Sequence, residues 1–153
     1  MATTWTGSVK LARQLKAMST ETRSAIKQAI AESADEMVEL ARKLAPKKSG
    51  KLAKSIVATF GGNAPKYSTF RSKLEGDPDL SAVISAGNSK VRYAHMVEFG
   101  TAPHVNKGRF AGTRNPGTEA RPFFFVSYRA TKKSMKSRIA RAVTRAARKA
   151  AGK

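Results

Sequence analysis

Apolar residues recur along this chain at two spacings, one at each end and another in the middle. From Ser8, the positions Val9, Ala12, Leu15 and Met18 return every three or four residues, which predicts a short helix. Ser19 and Thr20 then offer side-chain oxygens for capping a second, longer helix. Ile26, Ile30, Ala34, Met37, Ala41 and Leu44 form its apolar stripe, flanked by Val38 and Leu40, with a period near that of an α-helix. Glu32, Asp35, Glu36 and Glu39 mark the polar side. Pro46 ends the helix, because the residue before a proline avoids the helical region.

The middle of the chain reads as extended. Pro46-Lys47-Lys48-Ser49-Gly50 is a turn, and Leu52 with residues 55–60 predicts a strand of imperfect alternation. Residues 61–80 hold Gly61, Gly62, Pro65, Gly76 and Pro78 and read as a loop. Residues 80–87 predict a second strand and residues 91–99 a third, ending at Gly100, with Asn88-Ser89-Lys90 as the hairpin connection. Residues 101–120 are polar, rich in glycine and proline, and read as an extended loop carrying Lys107, Arg109 and Arg114. A loop of this length in a compact domain is usually functional or mobile.

Pro122 suits the first position of a last helix. Phe124, Tyr128, Thr131, Met135, Ile139, Ala142 and Ala146 make its apolar face, with Val143 alongside. At roughly 28 residues it would span about 42 Å. That exceeds what a body of this size covers, so the C-terminal half is expected to project or to dock on a partner, with 140–153 as a basic helical tail. The fold class expected is α+β: N-terminal helices and a long C-terminal helix packed on a small, mainly antiparallel sheet. A length of 153 residues suits one domain with one modest core.

Charge narrows the partners. Thirty Lys and Arg stand against ten Asp and Glu, a formal net charge of +20. Such a balance seeks a polyanion: nucleic acid, an anionic membrane surface, or an acidic protein face. Glu21, Glu32, Asp35, Glu36 and Glu39, half of the ten acids, lie in the helix over residues 20–44, and no acid follows Glu119. The last helix therefore carries an unbroken basic tract. Lys132, Lys133, Lys136, Arg138, Arg141, Arg145, Arg148 and Lys149 are its candidate polyanion contacts. No zinc spacing, RNA-binding aromatic signature or helix-turn-helix accompanies it.

Other classes are excluded more simply. Without cysteine the chain has neither disulfides nor thiolate metal sites. His95 and His104 are the two imidazoles, too few for a histidine-rich metal centre. No run approaches the roughly 18 apolar residues of a membrane span, and Met1-Ala2-Thr3-Thr4-Trp5 does not begin a signal peptide. The chain is expected in a cytoplasm or in something assembled there.

Three segments occur in series: Ala45-Pro46-Lys47-Lys48-Ser49-Gly50-Lys51-Leu52-Ala53-Lys54-Ser55-Ile56, then Tyr93-Ala94-His95-Met96-Val97-Glu98-Phe99-Gly100-Thr101, then Ala120-Arg121-Pro122-Phe123-Phe124. Together they resemble the head–tail joining, or tail-completion, proteins of the neck of tailed phages with lambda-like tails. Ser49 stands where threonine is commoner in that pattern, and the very basic stretch after Ile139 is not part of it. The resemblance implies a non-enzymatic virion protein without cofactor. It would be assembled in the host cytoplasm into a homo-oligomeric ring, six copies being the expected number. Its partners would be other neck and tail proteins, with non-specific contact to packaged DNA and no membrane. Tail terminators share closely similar folds and are the nearest alternative; a free basic nucleic-acid-binding protein is the rival from another class.

On this reading Glu98, Arg121, Phe123, Phe124, Lys107, Arg109 and Arg114 are the candidate interface residues. A carboxylate among apolar residues must be paired or neutralised, and Glu98 has Arg121 as its candidate partner across the two ends of the long loop; an outward-facing Glu98 at the strand edge is equally open. His95, three residues from Glu98 on an expected strand, faces the other side and makes no acid–base dyad with it. Gly50 and Gly100 read as backbone geometry rather than as contacts. Phe123, Phe124 and Phe125 cannot all face one side of a helix, so an exposed remainder would favour a covering neighbour.

Overall fold

A computed structural model of the chain describes residues 20–62, 64–69 and 77–150. The short helix expected over residues 8–18 lies outside them.

The long helix α1 spans Thr20–Leu44. Its predicted stripe is largely the buried one: Ile26, Ala34, Met37 and Ala41 are inside, whereas Leu44 at the last turn is exposed. The helix α4, Phe124–Ala150, packs along it. Several of the side chains buried on the two helices are small: Ala29, Ser33, Ser127, Thr131 and Ala146. The hydroxyls of Ser33, Ser127 and Thr131 donate to carbonyls four residues back in their own helices, at 2.7, 2.6 and 2.8 Å. Each hydroxyl thus finds its acceptor within the chain's own local turn, and that of Ser33 also accepts from Arg138 of α4 at 3.1 Å.

The C-terminal half of α4 does not project. Ala146 is buried, and Lys149 near its end meets Glu21 near the start of α1, so the helices run antiparallel. The partner that α4 needs along its length is inside the chain: α1 has 25 residues to its 27.

Gly50, at a φ of 67°, turns the chain into a single helical turn, α2 (Lys51–Lys54), which takes Leu52 into the core. Strands β1 (Val57–Phe60) and β2 (Ala82–Ser85) pair antiparallel, with Val57 opposite Ser85 and Phe60 opposite Ala82. Both are shorter than the apolar runs suggest. Arg42 of α1 ties this layer to the helices by donating twice to the Ile56 carbonyl, at 3.1 and 2.8 Å.

The expected third strand is a helix. Val91 does pair with Asn88 across a tight turn, but Ala94–Phe99 forms α3. Ala94 and Glu98 are buried while His95 and Met96 are exposed. That inside–outside pattern has the i, i+4 repeat of a helix, and six residues, with Met, Val and Phe among them, are too few to separate the two periods. Residues 101–120 also differ from the expectation. They form a hairpin arm in which β3 (His104–Val105) pairs with β4 (Arg114–Asn115). The described structure is α+β with two small antiparallel sheets. Its core, where α1, α2, β2, α3 and α4 converge, holds Met37, Ala41, Leu52, Ile56, Ala94 and Phe123.

Candidate assembly surfaces

The arm leaves and re-enters the body at one joint. Gly100 ends α3 with a φ of 70°, and a Cβ there would lie 2.5 Å from the Thr118 carbonyl oxygen. The close approach of the two ends therefore demands glycine. Glu98 is 3 % exposed. Its Oε2 accepts from the backbone N–H groups of Phe123 and Phe124, at 2.8 and 2.9 Å, and its Oε1 from that of Phe125 at 3.0 Å. The first N–H groups of a helix lack partners within it and carry its positive end. Glu98 fills that role for α4 from 25 residues away.

The expected Glu98–Arg121 pair is therefore not formed. The Arg121 side chain is exposed, and its backbone N–H donates to the Val97 carbonyl at 2.8 Å. Amide groups at a helix start neutralise the buried carboxylate as an arginine would, without burying a second charge. His95 is exposed beside buried Glu98, so the two do not meet. They are kept apart by the faces of α3, not by the faces of a strand. Among the described residues no group of three or more His, Asp or Glu is placed to hold a metal.

Beyond the joint, polar contacts hold the arm in shape. Thr101 and Thr118 exchange backbone hydrogen bonds at 3.0 and 3.1 Å. Farther out, the Asn106 N–H donates to the Thr113 carbonyl at 2.9 Å, and the Asn106 side-chain amide to the Thr113 hydroxyl at 2.9 Å. Gly117, at a φ of 80°, passes so close to the Thr101 carbonyl that any side chain would strike it. No residue of 101–120 is buried. Val105 is 57 % exposed, and Phe110 in the 3-10 turn at the tip is 66 % exposed. Lys107, Arg109 and Arg114 surround them, all exposed.

A groove of about 770 Å³ opens at the foot of the arm, lined in part by Pro46, Leu52, Tyr93, Met96 and Arg121. On the same helix Phe99 is 63 % exposed, its ring 6.0 Å from that of Phe125. Phe123 and Phe124 are buried and Phe125 half-buried, so the three consecutive rings are mostly accommodated within the chain. The exposed apolar surface lies instead on α3 and the arm. A strand reading of residues 91–99 conceals it; a helical reading places Met96 and Phe99, three apart, on one side.

The basic tract divides in two. Arg138 meets Glu36 at 2.7 Å and Glu32 at 3.9 Å, and Lys149 meets Glu21 at 2.7 Å. The hydrogen bonds from the Arg138 guanidinium and then the Ser134 hydroxyl hold the Glu36 carboxyl below its ordinary range. Lys149 does the same for Glu21. Two of the eight candidate polyanion contacts thus have partners on α1. Lys132, Lys133, Lys136, Arg141, Arg145 and Arg148 are exposed and form no ion pair among the described residues.

What these elements define is a small α+β protein whose distinctive features are open surfaces and an arm, with no helix among the described residues long and apolar enough to cross a membrane. The chain belongs to the HK97-gp10-like family: the model described as "Bacteriophage HK97-gp10, putative tail-component" matches residues 9–100. It is thus a member of a family of structural phage tail components, in agreement with the resemblance carried by the motifs at 45–56 and 93–101. The match ends at Gly100, where the arm begins, so the arm and α4 lie beyond it. No curated protein and no solved structure matches the chain.

Proposed function

We propose that the chain is a non-enzymatic ring subunit of the phage neck, completing the tail where head and tail join, with six copies to the ring. The observation that carries this reading is the arm: twenty residues with none buried, anchored at a joint of backbone hydrogen bonds, and ending in an exposed phenylalanine. An isolated two-stranded hairpin is at best marginally stable in water. Large apolar side chains left open on it, and on α3 next to it, fit surfaces that another subunit covers. A contact between two different surfaces of one chain is head-to-tail, and such contacts close into rings when the rotation permits. Phe110 and Val105 supply the apolar anchor, and Lys107, Arg109 and Arg114 the polar rim that sets register with neck and tail neighbours. Glu98, Phe123 and Phe124 contribute indirectly, by fixing the joint from which the arm springs. A tail-terminator layer would use the same contacts.

The chain has no cysteine, so Phe110→Cys provides a single attachment point for a photo-crosslinker in assembled particles. The expected product is a ladder of cross-linked copies of this chain ending at the hexamer. Cross-links that join it to no copy of itself, or its absence from purified particles, would overturn the ring reading.

A further inference from the structure

Helix α4 turns one side toward α1 and the other outward, and the two sides treat positive charge differently. On the inner side Arg138 and Lys149 are matched by acids of α1. On the outer side Arg129, Lys132, Lys133 and Lys136 follow one another at i, i+3, i+4 and i+7, all exposed. None forms an ion pair among the described residues; Lys132 lies over the Tyr128 ring at 5.5 Å. Neighbours at these spacings face each other on a helix, and like charges there repel. No acid follows Glu119, so α4 itself offers nothing to offset them.

We propose that this outer stripe of α4, Arg129, Lys132, Lys133 and Lys136, binds the phosphate backbone of duplex DNA without reading its sequence. The stripe covers about 10 Å of helix axis, along which duplex DNA presents roughly six phosphates. Ala130, and Ser137 and Ala140 just beyond the stripe, are small and exposed and let the helix approach closely. The composition favours phosphate over an acidic protein surface. Protein interfaces exclude lysine from their cores and rely on aromatic anchors, whereas phosphate contacts are made by lysine and arginine as point charges. Three of the four cations here are lysines, and the ring next to them in sequence, Tyr128, is taken up by Lys132. The stripe does not depend on the ring: it belongs to the single chain, and within a ring it would orient α4 toward the nucleic acid.

The test uses the purified full-length protein, a fluorescent duplex of mixed sequence, and anisotropy titrations over a series of salt concentrations. One variant carries Arg129, Lys132, Lys133 and Lys136 all changed to Gln. A charge-matched control carries Lys47, Lys48, Lys51 and Lys54 changed to Gln. Circular dichroism establishes that both retain the helical content of the parent chain. The stripe variant is expected to bind about 100-fold more weakly at low salt. Its plot of log affinity against log salt should flatten by about 3.6, near 0.9 for each of four phosphates no longer neutralised. The control keeps most of the affinity and slope. Equal weakening in the two variants would assign binding to net charge and overturn the stripe. So would a parent chain that does not bind the duplex, or one that binds polyglutamate more tightly with the same dependence on the stripe. None of these results changes the cross-linking ladder, so the stripe and the ring fail separately.

Discussion

The α1–α4 layer and the arm are held in place by opposite means. The helices bury small residues against one another and match charge across their length, with Arg138 on Glu36 and Lys149 on Glu21. The arm buries nothing and keeps its path through glycines, threonine pairs and backbone hydrogen bonds. In the first region the chain completes itself. In the second it leaves Val105 and Phe110 open, and order is achieved without burial. The contrast separates what stabilises the protein from what it presents to others. The joint at Glu98 belongs to both, because one carboxylate starts α4 and closes the foot of the arm.

That shared joint is where a single substitution should do most damage. Glu98→Ala leaves three N–H groups at the start of α4, those of Phe123, Phe124 and Phe125, without their acceptor and is expected to lower stability by about 3 kcal/mol, read from urea unfolding. Glu98→Gln keeps one acceptor oxygen and should recover part of the loss. If Glu98→Ala unfolds at the same urea concentration as the parent, the joint does not hold the helix. Next in size is removal of the arm. Replacing residues 102–117 by Asn-Gly between Thr101 and Thr118 should change stability by less than about 1 kcal/mol, since it removes no buried side chain, while particles built with it fail to join at the neck. A collapse of the isolated protein on this change would erase the distinction between the two regions.

The smallest effect concerns the charges between the helices. Glu36 titrates below its ordinary value when folded because Arg138 and Ser134 hydrogen-bond to it. Its contribution is therefore fully present above the unfolded carboxylate range and is lost as pH falls through the lowered folded value. The pair is partly open to water, which screens it to about 0.5 kcal/mol. Glu36→Gln should be less stable than the parent by that amount at neutral pH and equal to it in acid. A difference that persists in strong acid would point to packing, not charge.

The two long helices were legible because burial imposes a 3.6-residue period on side chains such as Ile26, Met37 and Ala146. The motif around Pro46 and Gly50 was legible because proline and glycine mark backbone changes directly. The helix at Ala94–Phe99 was not: Tyr93, Val97 and Phe99 favour strands, and less than two turns leave the period undecided. The partner of Glu98 was hidden for a different reason. Backbone N–H groups have no residue identity, so Arg121 was the visible candidate and the start of α4 the invisible one. The arm's hairpin was obscured because its strands are two residues long and bury nothing, which leaves no alternation to read. The match between α1 acids and α4 bases could have been found by laying the two helices head to tail, where Glu21 falls opposite Lys149 and Glu36 opposite Arg138.

The pairing of Thr101 with Thr118 has a consequence for how such a chain can change over time. The excursion begins and finishes at adjacent points, so the body meets little of it beyond the groove at its foot. Doubling the length of a flexible segment costs only about 0.6 kcal/mol in closure entropy. Lineages could therefore trade whole excursions between these two threonines, altering which neighbour is recognised while the underlying body is inherited intact. The same port would accept a foreign peptide for display.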